Sequence, residues 1–190
     1  MSRPAKRAQQ MSKRIGIFCG ARTGTGDRYI AIASGVARRT VERGYGIVYG
    51  GGRVGLMGVI ADTALQAGGE VIGVIPEALA SKEVAHAGLT QLHVVGTMHE
   101  RKALMADLSD AFIAIPGGYG TMDEFHEIVT WAQLAIHDKP VGLLNSDGYY
   151  DELLALYDKM VGEGFVSETN RGLVRSAREI DELLDILEQK

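Results

Sequence analysis

A doubly wound, parallel α/β sheet in a single domain is the fold that this sequence predicts, and three observations predict it. Short apolar runs alternate with helix-length amphipathic stretches along the whole chain. The apolar runs are nearly continuous rather than alternating, as strands buried on both faces should be. Several of those runs end in glycine, where a strand must turn sharply into a helix. At 190 residues, 46% of them hydrophobic and 23% charged, the chain has enough material for one substantial core.

In order, the candidate strands are "RIGIFCG" (Arg14–Gly20), "YGIVYGG" (Tyr45–Gly51), "EVIGVIP" (Glu70–Pro76), "LHVVG" (Leu92–Gly96), "AFIAIPG" (Ala111–Gly117) and "PVGLLN" (Pro140–Asn145). Helices are predicted over Tyr29–Gly44, Gly55–Gly69, Met98–Asp110, Met122–His137 and Tyr149–Gly164, with a closing helix over Arg178–Gln189. The link from Glu77 to Leu89 is too short and broken for a full helix. Residues 1–12, "MSRPAKRAQQMS", read as a disordered tail ahead of a Rossmann-like domain spanning residues 13–190.

Bulk charge narrows the function classes. A formal net charge of −4 supplies no basic field for nucleic acid or an anionic membrane. The basic start leads into a run too short for a transmembrane helix. Cys19 is the single cysteine, so no intramolecular disulfide is possible and a reducing, cytoplasmic setting is expected. The five histidines never take metal-ligand spacing with each other or with Cys19. Neither a serine-nucleophile elbow nor a P-loop motif is present.

In a parallel sheet, ligands bind beyond the carboxyl ends of the strands. Three glycine-bearing segments sit at such ends: "CGARTGTGD", "YGGGRVGLMG" with Gly51 and Gly52, and "PGGYGT" with Gly117. Glycine lets backbone approach a ligand, and helix N-termini offer unpaired N–H donors, so an anion, most simply a phosphate, is expected. "GGGRVG" (Gly50–Gly55) also fits the dinucleotide fingerprint. It follows the second strand rather than the first, however, and Glu70 opens the next strand instead of closing it, which disfavours that reading.

Charged residues cluster at two predicted helix starts. "TMHE" (Thr97–Glu100), "TMDE" (Thr121–Glu124) and "SARE" (Ser176–Glu179) all have capping-box spacing. Glu124 is therefore open to two readings, a helix cap or a working carboxylate. Placed in a first helical turn, it would be held ionised by the helix dipole. Arg101 and Lys102 fall early in their helix, against the dipole; they are either a solvated pair or a pair facing an anion or carboxylate across the sheet edge.

At "YGGGRVGLMG", "TMHERKALM" and "PGGYGTMDE" the sequence resembles the Lonely Guy (LOG) family, from about Arg14 to Phe165, including "GGEVIGVIP" and "WAQLAIHDKPVGLLN". The resemblance implies a phosphoribohydrolase that cleaves the N-glycosidic bond of purine nucleoside 5′-monophosphates, cytokinin riboside monophosphates or AMP, to free base and ribose 5-phosphate. It implies Arg101 and Glu124 as catalytic residues. Nucleotide contacts are implied at Glu83, Lys102, Thr130 and the loop Gly118, Tyr119, Gly120, Thr121, Met122 and Asp123. It further implies a homodimer, and no cofactor, metal, nucleic-acid or membrane partner. Arg101 could hold the phosphate, orient Glu124 or stabilise the leaving base. "CGARTG" replaces a more usual serine-rich turn, which leaves Arg22 without an assigned role. An older label for the family, lysine decarboxylase, would require pyridoxal phosphate on a Schiff-base lysine; nothing marks Lys82, Lys102 or Lys139 for it. The rival reading is a non-catalytic nucleotide or molybdenum-cofactor carrier on a similar fold.

Overall fold

The computed structural model describes residues 13–80 and 84–189; the proposed tail over residues 1–12 lies outside them. Seven strands form one all-parallel sheet: β1 (Arg14–Phe18), β2 (Gly46–Tyr49), β3 (Val71–Pro76), β4 (Gln91–Val95), β5 (Ala111–Ala114), β6 (Val141–Leu144) and β7 (Val174–Ala177). Their order is β4-β3-β2-β1-β5-β6-β7. The helices are α1 (Arg28–Glu42), α2 (Gly55–Gln66), a single turn α3 (Glu77–Leu79), α4 (Met98–Leu108), α5 (Tyr119–Gln133), α6 (Asp151–Gly162), the short α7 (Glu168–Arg171) and α8 (Ile180–Glu188).

Two-residue periodicity in the strands splits the core into two layers. Ile15 and Ile17 of β1, Ile47 and Tyr49 of β2 and Ile113 of β5 pack with α1, α2 and α8. Phe18, Val48, Phe112 and Ala114 face the other way, onto Met105 of α4, Phe125 and Ile128 of α5 and Tyr157 of α6. Wound in both directions from β1, the sheet reverses its order between β1 and β5. A doubly wound sheet opens its ligand crevice at the carboxyl ends there.

The strands stop two or three residues short of the predicted carboxyl ends in β1, β2 and β5, because their terminal glycines leave the sheet as loops. Among the elements that went unpredicted are β7 and α7. "VRSA" has only two apolar residues, Val174 and Ala177, which point to opposite faces and enter one core layer each, too sparse a pattern to read as a strand. Its Ser176 is strand, not cap, and the expected Ser176–Glu179 box does not form: Glu179 occupies the N-cap of α8 without a side-chain capping bond. At the opposite edge, β4 corrects the expectation that every strand is buried on both faces; Leu92 and Val94 are exposed. Among the described residues no helix is long and apolar enough to cross a membrane.

Candidate active site

A cavity of about 920 Å³ opens over the carboxyl ends of β1, β2 and β5. Its floor and walls come from the loop Cys19–Thr25, Gly50, Leu56 and Met57 of α2, the loop Pro116–Gly118, the first turn of α5, and Tyr29 and Tyr149. Arg101 and Glu124 lie side by side on its wall. Two of the three glycine segments pack directly on each other: a Cβ on Gly117 would stand 2.8 Å from the Gly20 nitrogen. A Cβ on Gly55, where φ is +62°, would collide with the Ala21–Arg22 peptide. Glycine is required at both close approaches.

Local sequence explains why Arg101 points inward. Thr97 is the N-cap of α4, and its Oγ1 accepts the Glu100 N–H at 3.1 Å. Glu100 reaches back one residue further than the usual box, accepting from Gly96 N–H at 2.8 Å. With the helix start held this way, Arg101 is carried over the end of β3. Its Nε donates to the Val74 carbonyl at 3.0 Å and its Nη1 to Glu124 Oε1 at 2.5 Å. Both residues are buried, 8% exposed each. Gly50 leaves the room: a Cβ there would overlap Arg101 Nη2.

The cap reading of Glu124 does not hold. Gly118, extended at φ −102° and ψ −153°, takes the N-cap, so α5 starts at Tyr119, three residues before the predicted Met122. Thr121 is then inside the first turn and Glu124 in the second. The dipole argument moves with it, because the field of a helix end fades beyond the first turn. Burial pushes the Glu124 carboxyl above its ordinary range, and the charge and hydrogen bond of Arg101 pull it back. What the early start leaves behind is an uncapped helix end: among the described residues no acceptor takes the N–H groups of Tyr119, Gly120 or Thr121. Thr121 Oγ1 is also buried on the cavity wall without a hydrogen-bond partner among the described residues.

Consecutive helix residues point about 100° apart, so Arg101 and Lys102 cannot share one target. Lys102 Nζ instead meets Glu127 Oε2 at 2.8 Å and Asp123 Oδ2 at 3.2 Å, tying α4 to α5 outside the cavity. Met122, Asp123 and Thr130 line a separate shallow basin with Tyr119, His126, Glu127 and Trp131; Thr130 Oγ1 donates to the His126 carbonyl of its own helix. Gly51 and Gly52 are not on the cavity wall, where Gly50 is that segment's one glycine beside Leu56 and Met57. They serve a backbone junction: Gly52 bridges Ala85, His86 N–H donates to the Gly51 carbonyl and Tyr49 Oη to that of Gly52. Glu83 and Lys82 lie outside the described residues. Lys139 donates to the Ala106 carbonyl, away from the cavity.

Sequence reasoning missed the aromatic wall. Tyr29 and Tyr149 meet edge to face at 5.7 Å between ring centres, and only the sheet brings residues so far apart in sequence together. Cys19 also lines the cavity; burial raises its thiol pKa, so it stays protonated. Among the described residues no cluster of three or more His, Cys, Asp or Glu could hold a metal.

A family model described as "possible lysine decarboxylase" matches residues 57–187. The probable cytokinin riboside 5′-monophosphate phosphoribohydrolase LOGL1 of Oryza sativa subsp. japonica is 53% identical over 176 residues, covering 93% of this chain and 79% of that protein. Cytokinin riboside 5′-monophosphate phosphoribohydrolase LOG2 of Arabidopsis thaliana is 49% identical (93% and 83% covered), and the enzyme of that name from Rhodococcoides fascians also 49% (92% and 88%). Among solved structures, the molybdenum cofactor binding protein of Rippkaea orientalis superposes with a TM-score of 0.70 at 22% identity, covering 94% of this chain and 97% of its own. At that identity the likeness speaks for the fold alone. About half of all residues are shared with the phosphoribohydrolases across most of both chains, and the chain belongs to the Lonely Guy family of cytokinin riboside 5′-monophosphate phosphoribohydrolases.

Proposed function

We propose that the cavity binds a purine nucleoside 5′-monophosphate with its phosphate at the start of α5 and its C1′ beside Glu124. The protein is a phosphoribohydrolase of cytokinin riboside 5′-monophosphates, as its relatives are named; AMP is a second substrate in this reading. One observation carries it: a buried Arg101–Glu124 pair shares a cavity wall with an uncapped helix N-terminus. Such a terminus attracts an anion through free N–H groups and the helix dipole. Thr121 Oγ1 and Arg22, which forms no salt bridge among the described residues, add a hydroxyl and a cation on the same wall.

The chemistry follows from the pair. As the bond from C1′ to the base nitrogen lengthens, positive charge develops on the ribose, as in glycoside hydrolysis. Ionised Glu124 stabilises that charge and accepts a proton from the attacking water, whose oxygen bonds to C1′. The base leaves with the bonding electrons and takes up a proton. Arg101, fixed at Val74, keeps the carboxylate ionised and turned toward the cavity. A carrier would need the phosphate site but not the pair.

Purified protein incubated with isopentenyladenosine monophosphate, AMP, the matching nucleosides and ATP should release free base from the two monophosphates only. Equal turnover of adenosine and AMP would remove the phosphate from this reading.

The basin beside α5 supports a homodimer in which each copy completes the other's site. Tyr119 is 96% exposed there, and Leu134 and Ile136 stand out just past the far end of the same helix. Sedimentation should give a dimer at micromolar concentration. A fully active monomer would defeat this part of the proposal.

A further inference from the structure

The peptide between Gly117 and Gly118 raises a question of its own. It lies where the phosphate is proposed to bind, and a glycine on each side leaves it free to rotate, with no Cβ to resist. Gly118 has open space around the place of its missing side chain. Among the described residues, one hydrogen bond holds this peptide: Tyr149 Oη donates to the Gly117 carbonyl at 2.7 Å.

Tyr149 is itself well anchored. Its ring meets Tyr150 edge to face at 4.8 Å and Tyr29 at 5.7 Å. Tyr150 is fixed in turn by the buried Asn145, whose Oδ1 accepts the Tyr150 N–H at 2.7 Å and whose Nδ2 donates to Asp151. Tyr150 Oη also donates to the Ile115 carbonyl at 2.8 Å. Adjacent tyrosines on the loop after β6 therefore take two carbonyls from the end of β5, and the intervening Pro116 has no N–H to offer.

In a planar trans peptide the C=O and N–H point in opposite directions. Drawing the Gly117 carbonyl to Tyr149 consequently turns the Gly118 N–H the other way, and that N–H has no acceptor among the described residues. We infer that Tyr149 is a positioning residue for the phosphate: its hydroxyl locks the Gly117–Gly118 peptide so that the Gly118 N–H joins the free donors of α5. This rests on the phosphate placement proposed above.

Tyr149→Phe keeps the ring contacts and removes only the hydroxyl. Calorimetry in a Glu124→Gln background, expected to turn substrate over at least about 100-fold more slowly, should show AMP binding tighter than adenosine. Adding Tyr149→Phe should narrow that ratio about 10-fold, the scale of one hydrogen bond to a charged group, with adenosine affinity unchanged. In the otherwise native enzyme, Tyr149→Phe should raise KM for AMP by a similar factor and leave kcat within about twofold. Tyr150→Phe, which loses a bond to the strand end only, should lower Tm and leave the ratio intact. An undiminished AMP-to-adenosine ratio in folded Tyr149→Phe overturns this inference while the phosphate reading survives. Loss of kcat and of both affinities together marks a merely structural role and also overturns it. No AMP preference in the Glu124→Gln parent overturns the phosphate placement and this inference with it.

Discussion

Glu124→Gln is expected to leave a folded protein that releases base at least about 100-fold more slowly, the loss typical of a general acid–base group. Glutamine preserves an acceptor for Arg101, so the buried guanidinium is not orphaned. Glu124→Ala removes that acceptor and should melt lower than Glu124→Gln, with an equal or greater loss of activity. A helix cap would predict the reverse order of concern, with stability affected and turnover not. Because α5 begins at Tyr119, five residues ahead of Glu124, no cap is at stake. The pH profile should carry the same signature. Burial raises the Glu124 pKa of the free protein above its ordinary value, so kcat/KM should fall as pH drops through that raised value, and its acid limb should lie above the usual carboxylate range. Between the ordinary and the raised pKa the folded protein binds a proton that the unfolded chain has already released. Stability therefore falls as pH rises across that window, and Glu124→Gln should lack that decline. Purine release and thermal melting over a pH series test both statements; a fully active Glu124→Gln enzyme would end the catalytic assignment.

Arg101→Ala should cost a comparable factor, about 100-fold or more, in the range found when a preorganised charge-stabilising donor is removed. Arg101→Lys is not expected to rescue it. The guanidinium spans two acceptors with separate nitrogens, Nε to Val74 and Nη1 to Glu124, and a single ammonium cannot hold both in that fixed fork. The sharper test leaves both residues in place. In Gly50→Ala the new methyl group would occupy the space of Arg101 Nη2, and Met57 Sδ closes the other side at 3.1 Å. Arg101 is tied at both ends, so it must give up one contact to make room. A misplacement of about 1 Å can cost about 100-fold, and Gly50→Ala should lose turnover on that order while retaining its fold. Steady-state kinetics with circular dichroism would decide; unimpaired turnover in Gly50→Ala would show that the observed guanidinium position is not needed.

Much of this was legible in the chain. Unbroken apolar runs separated by helical periodicity state a doubly wound sheet, because burial on both faces leaves no polar alternation in a strand. Glycines at strand ends state where backbone must come close to something. The two charged helix starts, with the family resemblance, name Arg101 and Glu124. Other features lie beyond any local pattern. Whether α5 is capped at Gly118 or at Thr121 was settled by tertiary packing, since Gly117 must sit against Gly20 and the chain then turns helical at once. That choice moved Glu124 from a capping position to a buried partner of Arg101. Helical phase separated Lys102, Asp123 and Thr130 from the cavity although sequence sets them beside its residues: Asp123, Glu127 and Thr130 form one stripe of α5, and Glu124 and Ile128 form the other. Tyr149 reached Gly117 because β6 lies beside β5. Sequence by itself determined which backbone can bend and which side chains can react; only the packed sheet decided which of them meet, because contact across more than 20 residues is set by strand order and helix phase.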